Sequence, residues 1–346
     1  MKPLKPVRFE RLPISFFLDP KALVLTVGLA VACVAAMLLS AGLGDMRLHP
    51  LEVIRALFGF GTEEHRLVVQ ELRLPRIAAA FLVGASLAVA GAILQGIIRN
   101  PLASPDIIGI TSGATLAAVL FISVLSSTVS IVWLPLAAML GAGCTSLLVY
   151  FLAWKQGVTP IRLVLVGIGI NFLLGSTTKV ILLKSPMYTS SQAFVWITGS
   201  VYGSDWGIVL LILPWAAAFI PLAFVYSRQV NILQLGDDMA AGAGSRVGRQ
   251  RFLLLMLSVA LAGAAVSVGG AISFIGLIAP HMARKLVGSS FGSMMPISAL
   301  IGGLIVVASD TIARTLFLPY DIPVGVFTAG VGAPFFIYLL YRSRNA

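Results

Sequence analysis

The side chains able to do chemistry are few and scattered. The three histidines, His49, His65 and His281, lie far apart, and the two cysteines, Cys33 and Cys144, sit inside apolar runs. Two cysteines cannot build a disulfide framework or a thiolate metal site and read as packing residues. No Cys/His/Met cluster is present to strip and hold a bare metal ion. No Gly-x-x-x-x-Gly-Lys-Ser/Thr phosphate loop, no Ser/His/Asp arrangement and no carboxylate pair within an apolar run occurs. The expectation is a chain with no catalysis, no metal site and no cofactor of its own.

What remains is charge placed against apolar sequence. Ion-coupled transport needs an ionisable residue deep in the membrane. Asp106, Asp310, Arg162 and Arg284 fall near the ends of apolar runs, and Lys179 lies deepest. Lys179 is either a coupling base or a side chain snorkelling to the surface. Arg73, Arg76 and Arg314 also stand at run ends. A guanidinium binds carboxylates bidentately and keeps its charge, although anchoring in lipid headgroups is the plainer role. The polar stretch 227–250 contains Leu235, Gly236, Asp237, Ala240 and Gly244. Gly236 separates two short amphipathic pieces, and Asp237 and Asp238 suit a helix N-terminus. The stretch is either a knob for a soluble partner or a solvated loop.

The elements that must position these residues are set by composition. Of 346 residues, 58% are apolar and 11% are charged, against roughly 25% charged in soluble domains. That excludes an ordinary cytosolic enzyme or a nucleic-acid binder. A membrane span needs about 20 mostly apolar residues, and the pattern predicts an all-α polytopic membrane protein with ten spans. These are 22–43, 77–97, 107–125, 132–153, 161–182, 207–226, 252–269, 271–287, 295–313 and 322–341. The first continues past Cys33, so it reads as an uncleaved helix and not as a signal peptide. With both termini cytoplasmic, the inner face takes sixteen of the 24 basic residues and five of the 13 acidic ones, which accounts for the whole net charge of +11. The chain reads as one transmembrane domain, 1–346, in the cytoplasmic membrane.

Many of the 34 glycines fall within spans, among them Gly84, Gly91, Gly302 and Gly332, where small residues let helix backbones approach closely. Pro280, Pro323 and Pro334 predict kinks or broken helices. Residues 88–93 (Ala-Val-Ala-Gly-Ala-Ile) faintly echo 267–272 (Ser-Val-Gly-Gly-Ala-Ile) in spans of opposite direction, the pattern of an inverted repeat.

Several ordered motifs together resemble the FecCD-type permeases, membrane subunits of ABC importers for iron–siderophores, haem and cobalamin. They are Arg73-Leu74-Pro75-Arg76; Arg99-Asn100-Pro101-Leu102-Ala103-Ser104-Pro105; the 231–247 stretch; Phe274-Ile275-Gly276-Leu277-Ile278-Ala279-Pro280-His281; Asp310-Thr311-Ile312-Ala313-Arg314; and Gly332-Ala333-Pro334-Phe335-Phe336. The resemblance covers roughly residues 70–342. It implies a ten-helix subunit that pairs with a second permease subunit, two cytoplasmic ATP-binding subunits and an extracytoplasmic binding protein.

By that resemblance Arg73, Arg76 and Arg314 receive acidic residues of the binding protein. Leu235, Gly236, Asp237, Ala240 and Gly244 couple to the ATPase, with 227–250 as the coupling loop. The inner gate falls at Gly157–Arg162, with Thr159 and Pro160, and spans five and ten contribute to the passage. The cargo implied is an intact ferric siderophore, with cobalamin or haem as the alternative within the class. An ion-coupled secondary transporter is the competing reading from the residues alone.

Overall fold

The computed structural model describes residues 5–8, 15–155, 157–317 and 320–343. Lys2, Glu10, Arg11 and Arg344, counted above for the inner face, lie outside the described residues. Lys5–Arg8 pairs antiparallel with Ser15–Leu18, a short hairpin ahead of the first helix. Among the described residues the remaining regular elements are helices, apart from an isolated antiparallel bridge between Trp154 and Val158.

Helix α1 spans Pro20–Gly42; Asp19 caps it by accepting from the Lys21 N–H at 2.9 Å, and Pro20 occupies its first turn. The polar stretch 44–72 is not a loop. It holds α2 (Pro50–Leu57), opened by a His49/Glu52 capping box, and α3 (Glu63–Arg66), capped by Thr62. A π-helical turn, Leu67–Arg73, then runs into α4 (Leu74–Ile98). Helix α5 (Ile110–Leu120) extends through a second π turn to Leu125. There follow α6 (Leu134–Leu152), α7 (Pro160–Lys184), α8 (Met187–Thr198) and α9 (Trp206–Val225). The inner connection forms α10 (Ser227–Gln234) and α11 (Asp237–Gly242). Helices α12 (Val247–Gly269), α13 (Ile275–Val287), α14 (Phe291–Leu316) and α15 (Val324–Ser343) complete the bundle.

Each expected span corresponds to a helix. Among the described residues, eight are long and apolar enough to cross a membrane. The third and eighth differ, being the 16-residue Ile110–Leu125 and the 13-residue α13. Both were expected to start earlier, at 107 and 271. Gly109, at φ 80, ends one stretch of non-helical backbone, and Gly270 and Phe274, both at φ 68, bend another. Apolar composition runs through these turns, so hydropathy alone does not register them.

Three helices make the centre. The apolar stretch of α4 is 83% buried and that of α12 72%, against 11% for α1 and α7. Lipid is as apolar as a leucine side chain, so helices gain from contact mainly through close packing. Gly84 of α4 lies against the Gly302 carbonyl of α14, and Gly91 against the Gly276 carbonyl of α13. A Cβ at either position would overlap backbone, which cannot swing aside as a side chain does. Gln95, on the same face of α4, donates to the Gly276 carbonyl at 3.3 Å and accepts from Arg284 at 2.9 Å.

Overpacking a core costs about 1–3 kcal/mol even where neighbours relax. Gly91→Val is therefore expected to abolish recovery of a monodisperse, detergent-extracted protein in size-exclusion chromatography. Gly28→Ala, in open space on α1, should leave that peak unchanged.

Candidate functional site

One end of the bundle brings the three expected arginines together. Arg73 closes the π turn, Arg76 lies in the first turn of α4, and Arg314 stands in the last turn of α14, one turn after Asp310. Arg76 is held on two sides. Its Nε and Nη2 donate to Asp310 at 2.9 and 2.8 Å, and its Nη1 and Nη2 donate to Asp321 at 2.6 and 2.8 Å. Arg73 donates to the Ala41 and Met46 carbonyls at 2.7 and 2.6 Å. Arg314 donates to Ser40 Oγ at 2.8 Å, to the Ser40 carbonyl and to the Leu43 carbonyl at 3.0 Å. The ends of α1, α4 and α14 and the segment before α15 are thereby tied into one knot.

All three arginines are at least nine-tenths buried, and each is already engaged within the chain. They line a cavity of about 570 Å3 together with Asp45, Glu71, Asp205 and Asp321. Tyr202 lies with its ring 5.4 Å from the Arg76 guanidinium. Asp321 has no role in the sequence pattern, and Asp310 enters it only as an ionisable residue near a span end and as the start of the Asp310–Arg314 motif. The four-residue spacing of Asp310 and Arg314 was the one available signal.

The opposite end carries the second cluster. Helices α10 and α11 form two short rods joined by a turn at Gly236, whose φ of 110 suits glycine. Leu235 and Met239 are exposed and Ala240 is buried. Helix α10 is fixed to the bundle by Val230 packed against Gly96 and by Asn231, which accepts from the Phe291 N–H at 2.9 Å. Asp237 begins α11. Its Oδ1 accepts from Arg251 at 2.7 Å and pairs with Arg99 at 3.2 Å. Gly244 lies beyond α11 at φ 79 with open space around it.

Arg251 is 4% exposed and donates its other terminal nitrogen to the Val158 carbonyl. Val158 immediately precedes Thr159 and Pro160, which cap and open α7. The residues expected at the coupling loop and those expected at the gate are therefore joined through one buried guanidinium. Beside this joint, Arg99, Asn100, Pro160 and Ile161 line a cavity of about 530 Å3. In the sequence Arg251 stands out only as inner-face charge, and Arg99 only as such charge and as the start of the Arg99–Pro105 motif. Among the described residues no group of three or more His, Cys, Asp and Glu side chains is placed to hold a metal ion.

The profile of the FecCD transport family matches residues 32–342. A siderophore transport system permease protein of Bacillus subtilis, YfhA, is 50% identical over 333 residues, covering 95% of this chain and 97% of that protein. The achromobactin transport system permease protein CbrC of Dickeya dadantii is 50% identical over 327 residues, 92% of each chain. The iron(3+)-hydroxamate import system permease protein FhuG of Bacillus subtilis is 43% identical, covering 90% of this chain and 94% of its own. Among solved structures, a metal-chelate type ABC transporter in an inward-facing conformation superposes with a TM-score of 0.81 at 30% identity, over 92% of this chain and 99% of that one. With its helices, both clusters and nearly its whole length inside these matches, this polytopic membrane protein belongs to the FecCD transport family.

Proposed function

We propose that the chain is the membrane-spanning permease subunit of an ABC importer in the cytoplasmic membrane, moving a ferric siderophore while partner subunits hydrolyse ATP. The residues 1–346 act as one permease domain, and 227–250 form its coupling loop. The partners are a second permease subunit, two cytoplasmic ATP-binding subunits and an extracytoplasmic binding protein. Relatives named for a siderophore system, achromobactin and ferric hydroxamate support this cargo over cobalamin or haem. The single observation that carries the mechanism is the linkage from Asp237 through Arg251 to the Val158 carbonyl. A knob gripped by an ATPase needs a stiff connection to the helix that gates the passage. A buried, charge-assisted bridge supplies one.

The stroke follows from that geometry. Leu235, Gly236, Asp237, Ala240 and Gly244 present the knob to the ATPase. Its displacement pulls on Arg251 and thereby on the start of α7 at Thr159 and Pro160, opening or closing the inner cavity. At the outer end Arg73, Arg76 and Arg314 receive the binding protein. Arg76 is already neutralised, so docking there is an exchange in which a carboxylate of the binding protein replaces Asp321, the more exposed of its two partners.

The assignment as an importer subunit predicts co-purification with an ATP-binding subunit and ATP-dependent uptake only in the full complex. Uptake by the chain alone in liposomes would refute it. Gly236→Val introduces a β-branched side chain at positive φ, 3.3 Å from Arg99. It is expected to leave ATP hydrolysis running while uptake in proteoliposomes falls about tenfold, the equivalent of about 1.4 kcal/mol. Wild-type uptake by this variant would make the knob a passive loop. Asp321→Asn removes the competing carboxylate from Arg76. Affinity for the binding protein should rise several-fold in a low-salt pull-down, with the gain shrinking as salt screens it; unchanged affinity would sink the exchange.

A further inference from the structure

Two stretches of non-helical backbone enter the depth of the bundle and meet at one cavity. The first leaves α4 at Arg99, a non-glycine residue in the left-handed region, and rises through the short 3-10 turn Pro105–Ile108. It is level with the middle of α7. The Ile107 carbonyl lies against Gly167, and Asn171 donates to the Asp106 carbonyl at 2.7 Å. Asn171 is about 16 Å along α7 from Pro160 at about 1.5 Å per residue. The sequence reading had put Asp106 near a span end; the structure puts it at mid-depth. The second stretch is the bend 270–274 between α12 and α13. Open backbone at such depth persists where it is buried in protein or lines an aqueous cavity. Here both stretches line an open cavity of about 480 Å3 together with α5, α7 and α8, within the range of small-molecule sites.

The polar groups of this cavity divide by type. Its acceptors are already engaged. Asp106 accepts from Thr111 at 2.5 Å and from Ser104 at 3.3 Å, and Asn171 Oδ1 accepts from Ser112 at 2.5 Å. The donors of Thr111, Ser112, Asn171 and Thr178 are engaged as well, which leaves two open. Lys179 lines the cavity with Thr115, and its ammonium has no hydrogen-bond or ion-pair partner among the described residues. It stands about 8 Å of helix short of Lys184, at about 1.5 Å per residue. An ammonium at that depth is costly, and such residues mark ligand pathways when they face a cavity. A site with satisfied acceptors and an unused cation complements a ligand rich in acceptor oxygens and negative charge.

We propose that this cavity is a transit site at which Lys179, with the Thr115 hydroxyl beside it, holds the anionic, oxygen-rich face of a ferric chelate. The proposal rests on the importer reading above and adds to it the contact residue and the charge class of the cargo. The hydroxyl and amide groups of the lining orient the chelate, and the Asp106 carboxylate is held away from it by its bonds to Thr111 and Ser104.

The test uses the complete complex, reconstituted in proteoliposomes with its ATPase and binding protein. The probes are iron-labelled ferric citrate, ferric enterobactin and ferrichrome, of which the first two are anionic and the third neutral. The wild type should carry an anionic probe. Lys179→Gln should lower its uptake per ATP hydrolysed about tenfold, the loss of one hydrogen bond to a charged group, mainly through a higher KM. Lys179→Arg should retain about half of wild-type uptake, since it keeps the charge. Assembly of each variant is checked by size-exclusion chromatography of the complex. Wild-type uptake by Lys179→Gln would overturn the proposal, as would a wild-type complex that carries ferrichrome alone. A wild-type complex that carries none of the three overturns the importer reading itself and removes the site with it.

Discussion

In the hydrocarbon core of a bilayer a charged side chain or backbone group meets no water, so it pairs within the protein or faces a cavity. This constraint shapes the molecule at every level. It makes the chain helical, it ties buried arginines to carbonyls and carboxylates, and it permits unwound backbone only along cavities. Arg76 is the clearest case. Two carboxylates, from α14 and from the segment before α15, share its guanidinium. Removing one member of such a buried cluster would leave an uncompensated charge, which costs more than the pair contributes.

The same constraint leaves the helices unequally buried. Helices α4, α13 and α14 meet at glycines that leave no room for a Cβ, and Gly167 of α7 and Gly325 of α15 meet backbone carbonyls as closely. Helices α7 and α15 are nevertheless far more open along their length, with 11% and 28% of their apolar stretches buried, against 83% for α4 and 72% for α12. The ion-pair linkage from α11 runs through Arg251 to the start of α7, which is one of the open helices.

Much of this was written in local pattern. Apolar runs of span length, punctuated by Pro, Gly and charge, gave each helix of the bundle, because a helix satisfies its own backbone and needs only residues near in sequence. The excess of bases on one set of loops gave an orientation for the same local reason. The ordered motifs pointed to the family to which the chain belongs. Local pattern placed breaks after 97 and after 269 but did not register how far they run, to 109 and to 274. Ile107, Ile108, Ala271, Ile272 and Phe274 are as apolar as the helices that follow them, so hydropathy extends the spans back over these turns.

Partnership across the sequence was decided by the tertiary structure. Arg76 and Asp310 are 234 residues apart, and Arg251 and Val158 are 93 apart. Nothing in the types or spacing of these residues says that they meet. The sequence alone determined that the chain is a membrane-embedded helical bundle of this family with arginines at one end and a polar knob at the other. Only the packed structure decided that those arginines are already paired, that the knob is bonded to the start of α7, and that Asp106 and Lys179 line one cavity. The reason is physical: helix formation and membrane insertion depend on neighbours along the chain, whereas a buried charge is satisfied by whichever partner the packing of distant helices brings within reach.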